Sequence, residues 1–216
     1  MEEILIFGGG GQAKVIIDTI RCQNKYKVAG VITNDKSTTR TECCGFPIYH
    51  EDKLPELKIY KGIVALGDNW RRSLEVNNIL SKFPSFEFIT AIHPSSVIGQ
   101  DCKIGPGTWV AAGVVINPSC TIGAHCVVNT SSSLDHDCVM KDFSSVAPGA
   151  HTGGNVTIYD FTTVSIGAQV IHGITIGAHT VIGAGAVVLE SVPERVVAYG
   201  VPCRAMHARQ IGDKYL

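Results

Sequence analysis

Between residues 98 and 188 an aliphatic residue returns at every sixth position. The series runs Ile98, Ile104, Val110, Ile116, Ile122, Val128, Leu134, Met140, Val146, then Ile158, Val164, Val170, Ile176, Ile182 and Val188, with Thr152 as its one exception. Four residues after each stands a small or β-branched residue, from Cys102 and Thr108 through Cys138 to Ala186. Neither the helical period of about 3.6 nor the strand period of 2 produces such a pattern. Six is the spacing of a short strand plus a tight corner, in which the aliphatic residue fills an interior and the small residue sits where walls converge. Three hexads close a triangular coil of eighteen residues. Stacked coils bond strand to strand about 4.8 Å apart, so residues eighteen apart lie one above another. The series is long enough for roughly five coils and a continuous core. Gly99, Gly105, Gly123, Gly177 and Gly183 each follow an aliphatic position, where they are expected to take the unusual dihedrals of a corner.

Residues 1–92 read as a different unit. An apolar strand, Ile4 to Phe7, leads into Gly8-Gly9-Gly10-Gly11 and a helix from Gln12 to Cys22. A second strand, Val28 to Ile32, ends at Thr33-Asn34-Asp35, and a third, Gly62 to Leu66, ends at Gly67-Asp68-Asn69. A helix follows from Asn69 to Lys82, with Leu74, Val76, Ile79 and Leu80 as its apolar face. This order predicts a small parallel α/β, Rossmann-like domain. Its ligand site lies beyond the carboxyl ends of the strands, at Gly8, Gly10, Gly11, Gln12, Thr33, Asn34, Asp35, Gly67, Asp68 and Asn69. Gly8-x-Gly10-x-x-Ala13 matches a dinucleotide fingerprint, and glycines there let backbone N–H groups approach a pyrophosphate at a helix N-terminus. The same glycines also suit a purely structural tight turn. Because about 90 residues hold little more than one mononucleotide half, a nucleotide-linked sugar fits better than NAD.

Composition narrows the remaining classes. The 216 residues are 45% hydrophobic with a net charge of −1, which gives no reason to expect a nucleic-acid partner. No run reaches membrane-span length, and Met1-Glu2-Glu3 is acidic where a secretory signal is basic, so no membrane partner and a cytoplasmic location are expected. Among eight cysteines, Cys102, Cys120, Cys126 and Cys138 fall in the small inward slot and read as reduced thiols acting as small hydrophobes. Cys22, Cys43, Cys44 and Cys203 lack metal-ligand spacing, and no metal is expected.

The chain resembles, over nearly its full length, the bacterial hexapeptide-repeat sugar acetyltransferases that comprise sialic-acid O-acetyltransferases and nucleotide-4-amino-sugar N-acetyltransferases, including the bacillosamine-pathway enzyme. The resemblance rests on Gly8 to Val15, on Ala65-Leu66-Gly67-Asp68-Asn69, on the segment from Asn129 to Cys138 containing Asp135-His136-Asp137, and on Gly200-Val201-Pro202. It implies that residues 93–216 form a left-handed parallel β-helix with a C-terminal tail, that the working unit is a homotrimer with active sites between subunits, and that acetyl-CoA is the co-substrate. The acidic pair that the group places at the end of the second strand is Thr33-Asn34 here. Gln12 stands where the group often has histidine, and Ser145 where the bacillosamine enzyme has a second histidine.

Acetyl transfer from a thioester to an amine or hydroxyl requires removal of a proton, a task suited to imidazole near neutral pH. His136 lies two residues past inward Leu134, near a corner from which it can face out. The resemblance makes His136 the general base and Asp137 the residue that orients it. Gly154, eighteen residues on, stacks on the same corner, and the resemblance assigns its N–H to the oxyanion. Acetyl-CoA is expected along Ser145, Gly154, Gly183, Ala184, Pro202 and Arg204. A covalent route through Cys138 conflicts with that residue's inward slot. Thr152 is read either as a locally reshaped coil or as a harmless substitution. The expected activity is N-acetylation of a nucleotide-linked 4-amino sugar for surface glycan biosynthesis, with O-acetylation of a sialic-acid-like sugar as the alternative. A zinc lyase on the same prism would need a three-histidine site that these spacings do not supply, and a non-catalytic nucleotide-binding scaffold is the remaining class.

Overall fold

The strand-glycine-helix pattern at the N-terminus folds as the periodicity demands. In the computed structural model, which describes residues 1–214, its elements are β1 (Glu2–Phe7), α1 (Gly11–Gln23), β2 (Tyr26–Thr33), β3 (Glu42–Cys43), β4 (Phe46–His50), α2 (Leu54–Leu57), β5 (Lys61–Val64), α3 (Asn69–Lys82) and β6 (Glu87–Phe88). Tyr215 and Leu216, assigned above to the tail, lie outside the described residues. The sheet runs β3-β4-β2-β1-β5-β6, parallel except for the β3–β4 hairpin. That hairpin, α2 and β6 carry no periodic signal: β3 and β6 are two residues long, and Pro47 and Pro55 interrupt β4 and α2. Among the described residues, no helix is long and apolar enough to cross a membrane.

Of the two principal helices, α3 buries a face that differs from the expected one. On α1, Ala13, Ile16, Ile17 and Ile20 are buried while Val15 faces outward. On α3 the buried stripe is Asn69, Arg72, Ser73, Val76 and Ile79, so Leu74 and Leu80, expected on the apolar face, are exposed. The stripe is polar at its N-terminal end because α3 packs there against backbone carbonyls of the second unit.

From Ala91 onward the chain winds as a triangular prism with three parallel sheets as its walls. Pairing is offset by eighteen residues throughout the coils, for example Trp109 to Val127 and Val127 to Ser145. The aliphatic column from Val110 to Val188 is buried in the prism interior, each side chain contributing about 1.5–3 kcal/mol. Thr152 keeps its register between Leu134 and Val170, and its hydroxyl meets the Cys138 thiol at 3.5 Å, so the coil is not reshaped there. Beyond the coils, Val196–Tyr199 extends one wall and Arg204–Ala208 folds back antiparallel on it.

Two details of the repeat differ from the sequence expectation. The left-handed corner is not the glycine after each aliphatic residue but the position two further on. Every sixth residue from Asp101 to Gly185 has a positive φ, including His125, Asp137, Phe143, Phe161 and His179. Gly99, Gly105 and Gly183 instead sit where an added Cβ would lie 2.5–2.6 Å from the adjoining strand or coil. They are required by close approach rather than by dihedral angle. The small slot is also more polar than expected. The side chains of Cys102, Thr108, Cys120, Cys126 and Cys138 donate to carbonyls of Asn117, Gly123, Asp135, Lys141 and Gly153 at 2.8–3.2 Å. The cysteines are reduced, but they act as small donors that hold one coil to the next, each bond contributing about 1 kcal/mol.

The two units share one buried core, in which Ile16 and Ile20 of α1 meet Ala91 and Trp109. Trp109 Nε1 donates to Thr19 Oγ1 at 3.0 Å. One prism corner carries a ladder of stacked rings, His125, Phe143, Phe161 and His179, with centroids 4.6–5.3 Å apart. Phe88 closes one end edge-on against His125, and Trp70 of α3 lies beside Phe161. A left-handed non-glycine residue costs about 1–2 kcal/mol, and each aromatic contact returns about 0.5–1.5 kcal/mol beyond area burial. The ladder thus offsets much of its corner strain.

His125 is buried with Nδ1 unbonded, and burial, followed by repulsion from Arg72, holds its pKa down at about 4. A histidine whose folded pKa is depressed leaves stability intact above its unfolded value and weakens the fold as pH falls toward the folded value. Between pH 7.5 and pH 5 this group should account for about 2 kcal/mol of lost stability. His125→Phe, which keeps the stack, should remove that share of the acid sensitivity, as read by urea unfolding of both proteins at the two pH values.

Candidate active site

The turn from Asp135 to Asp137 is held on every side. Asp135 Oδ1 accepts from Asn117 Nδ2 at 2.7 Å and from the His136 amide at 2.8 Å, and its carbonyl accepts the Cys120 thiol. The Asp137 amide donates to Pro118 O, and His136 O accepts the Asn155 amide at 2.9 Å. Asp137 takes the left-handed corner, with φ of 57°. These bonds place the half-exposed His136 imidazole outside the prism with Nδ1 2.8 Å from Asp137 Oδ2. The hydrogen bond to Asp137 raises the His136 pKa, burial opposes it slightly, and the charges of Asp135 and Asp137 add to the rise. With Nδ1–H facing Asp137, the Nε2 lone pair is the one presented outward, the arrangement of a positioned general base.

Gly154 lies directly above this ring, one coil further on. A Cβ there would sit 2.6 Å from His136 Nε2 and Cε1, so any side chain displaces the imidazole. Among the described residues, the Gly154 N–H donates to no backbone group, while Gly154 O accepts from Gly173. Cys138, by contrast, is sealed in the prism interior with its thiol on Gly153 O, out of reach of a substrate.

The N-terminal unit carries two adjoining grooves past the ends of β1, β2 and β4. One, of about 480 Å³, is lined by Gly8, Gly9, Thr33, Asn34, Asp35, Leu66, Arg71, Leu74, Glu75 and neighbours. The other, of about 430 Å³, is lined by Thr33, Asp35, Lys36, Thr38, Arg40 and His50 among others. Both have the size of a small-molecule site. Gly8 needs to be glycine, since its φ is 106° and an added Cβ would stand 3.1 Å from Ala65 O. Gly10 and Gly11 have neither a positive φ nor a neighbour within 4 Å of such a Cβ, so nothing in the protein's own packing calls for glycine there.

Comparison with known proteins bears on this arrangement. Residues 3–79 match the family model described as the PglD N-terminal domain, and residues 95–136 match that of the bacterial transferase hexapeptide (six repeats). Perosamine N-acetyltransferase from Caulobacter crescentus, solved with CoA and GDP-perosamine, is similar at 33% identity and a TM-score of 0.89, covering 96% of this chain and 98% of that one. The chain belongs to the hexapeptide-repeat nucleotide-sugar acetyltransferases. The acetyltransferase domain of PglB from Neisseria gonorrhoeae FA1090 is 27% identical with a TM-score of 0.86, over 95% of this chain and 100% of that one. WeeI from Acinetobacter baumannii AYE is 25% identical with a TM-score of 0.82, over 94% and 100%. The search of curated proteins found no match. The prism is accordingly a left-handed parallel β-helix of hexapeptide repeats.

Within this acetyltransferase the residues singled out from sequence divide into four groups. His136, Asp137 and Gly154 come together at one corner. Gly8, Thr33, Asn34 and Asp35 line the first groove; Gly10 and Gly11 open α1, and the Gln12 amide lies against Gly67 with Nε2 buried and unbonded. Asp68, Asn69 and Ser145 are engaged elsewhere. Asp68 caps α3 by accepting the Arg71 amide at 2.8 Å. Asn69 and Ser145 are buried between α3 and the prism, bonded to each other and to Arg72, and join neither the grooves nor an exposed coenzyme surface of the chain. Gly183 packs against Tyr199, whereas Ala184, Pro202 and Arg204 are exposed, with Arg204 Nη1 on Cys203 O.

Sequence reading missed Arg40, Arg71 and Glu75 in the grooves and Asn117 beneath Asp135. Arg40 Nη1 donates to Gly9 O at 2.8 Å, and Glu75 accepts from Asn34 at 3.2 Å. Asn117 was within reach of the repeat, since it precedes Asp135 by one coil.

Because Asp137 raises the His136 pKa, the acid limb of kcat/KM should lie above an ordinary histidine value, and Asp137→Asn should move it to lower pH while reducing the maximum. Initial rates from pH 5.5 to 9 test this. Gly154→Ala should cut kcat/KM by about 10²–10³ with an unchanged circular dichroism spectrum.

Proposed function

We propose that the protein transfers acetyl from acetyl-CoA to the amino group of a nucleotide-linked 4-amino sugar. The observation that carries this is the His136–Asp137 pair stacked against Gly154 on a prism joined to a domain with a nucleotide-sized groove, in a chain 33% identical to an enzyme bound to CoA and GDP-perosamine. In this reading Nε2 of His136 takes the proton from the attacking amine, Asp137 holds the tautomer and stabilises the imidazolium, and the Gly154 N–H faces the developing oxyanion. Direct attack needs no acyl-enzyme, in keeping with the burial of Cys138.

The nucleotide occupies the grooves. Its diphosphate meets the backbone of Gly10 and Gly11 at the N-terminus of α1, with Arg40 and Arg71 as the nearby cations. Its base reaches Thr33, Asn34 and Asp35. Acetyl-CoA extends along the last coil and tail past Ala184, Pro202 and Arg204. No residue lining either groove comes from the prism, so joining sugar to imidazole calls for a second subunit, and a homotrimer with sites between subunits supplies one. Ile166 and Leu189, half or more exposed on the prism, support such an interface. A surface-glycan pathway in the cytoplasm fits a nucleotide-linked acceptor.

The test is consumption of acetyl-CoA with UDP-, dTDP- and GDP-linked 4-amino sugars and with free sialic acids. N-acetylation of one nucleotide sugar, reduced about 10²–10⁴-fold in His136→Ala, is expected. Turnover undiminished in that variant would remove His136 as the base, and activity confined to free sialic acids would overturn the acceptor.

A further inference from the structure

We infer that Asp18, Cys22 and His93 form a divalent-cation site, of the zinc type, that ties α1 to the first coil of the prism. Asp18 and Cys22 stand one turn apart on α1 and therefore share a face of the helix. The prism begins directly after β6, and its first coil brings His93 to that face. One potential donor atom from each residue, a carboxylate oxygen, a thiol sulfur and an imidazole nitrogen, lies within 4.8 Å of the other two. It is the one such cluster of three among the described residues.

The donor set suits zinc rather than magnesium or calcium, which take oxygen ligands. Donor atoms around a tetrahedral zinc lie about 3.3–3.8 Å apart, and the three donors here stand at separations of up to 4.8 Å. Asp18 and Cys22 are exposed, and His93 is half-buried, leaving room for entry and for a water as fourth ligand. Their side chains are not occupied by any hydrogen bond or ion pair among the described residues, except at His93 Nδ1.

That exception is the second observation. His93 Nδ1 is 2.8 Å from Ser95 Oγ, and Ser95 Oγ also accepts the Gly113 amide from the coil above at 3.2 Å. Nδ1 also accepts the Ser95 amide at 3.1 Å, so the ring proton sits on Nε2; binding of an ion at Nε2 moves that proton to Nδ1, which gives up the Ser95 amide and donates to Ser95 Oγ. A hydroxyl accepting from Nδ1–H would then be the outer-shell partner that orients a metal-bound histidine. None of the three residues lines a groove or touches the His136 turn, so the site serves the junction of the two units rather than acetyl transfer.

The experiment is titration of the chelator-treated full chain with cobalt(II), followed by displacement with zinc. A thiolate-to-cobalt charge-transfer band that saturates at one ion per chain is expected. Cys22→Ser should abolish it, while Asp18→Asn and His93→Gln should weaken binding at least ten-fold. Ser95→Ala, acting through His93, should weaken it by about 10–100-fold. Zinc should raise the Tm of the wild-type protein and leave that of Cys22→Ser unchanged, and acetyl transfer by Cys22→Ser should equal that of the wild type. Absence of the band in the wild type, its persistence in Cys22→Ser, or equal affinity in His93→Gln would each overturn the site.

Discussion

The relation between the two units depends on the guanidinium of Arg72. It is 1% exposed, and all three of its nitrogens are used. Nε donates to His125 O at 2.8 Å, Nη1 to Leu66 O and Gly67 O, and Nη2 to Asn69 Oδ1, Phe143 O and Ser145 Oγ. Withdrawing such a charge from water costs several kcal/mol, and burial lowers its pKa to about 10. That value still leaves it charged at neutral pH, and the fan of acceptors offsets the desolvation. The carbonyls of Leu66 and Gly67 belong to the loop after β5, whereas those of His125 and Phe143 belong to successive prism corners. One side chain therefore fixes the ligand-side loop of the sheet relative to the coils.

Asn69 completes that junction from the next turn of the network, donating to Phe161 O, Thr162 O and Thr163 Oγ1. With the aromatic ladder beside it, three consecutive coils are held to the N-terminus of α3. The result is a joint braced at three successive coils. In any enzyme whose ligand and reacting groups sit on different units, such bracing limits small misplacements at the reacting atoms, which cost large factors in rate.

The prism itself explains why the corner that carries His136 can be so exposed and yet held in place. Each coil repeats the same backbone, so the turn carrying His136 inherits its shape from the coils above and below. Asn117 bonds Asp135 from below, and Gly154 accommodates the ring from above. The left-handed conformation of Asp137 is likewise the ordinary state of its column. Orientation of the imidazole is thus a property of the repeat, and only the identity of a few side chains distinguishes this corner from the others.

The period of six determined the prism by itself, because an interior that narrow accepts one aliphatic residue per wall and any other spacing breaks the column. It also placed Gly154 over His136, since stacking follows from counting. The strand-glycine-helix order likewise determined the parallel sheet and the groove beyond its ends. What only the tertiary structure decided were partnerships across the junction. Asn69 and Ser145 are polar residues at a strand end and near the motif, the places where ligand contacts are expected, and packing of α3 on the prism engages them in docking the two units. The same packing buried Arg72 in place of Leu74, and packing of α1 against the first coil brought His93 to Asp18 and Cys22. These contacts span tens of residues and follow no period, so local sequence carries no trace of them; they arise where two regular units meet and their unpaired carbonyls and side chains must find partners.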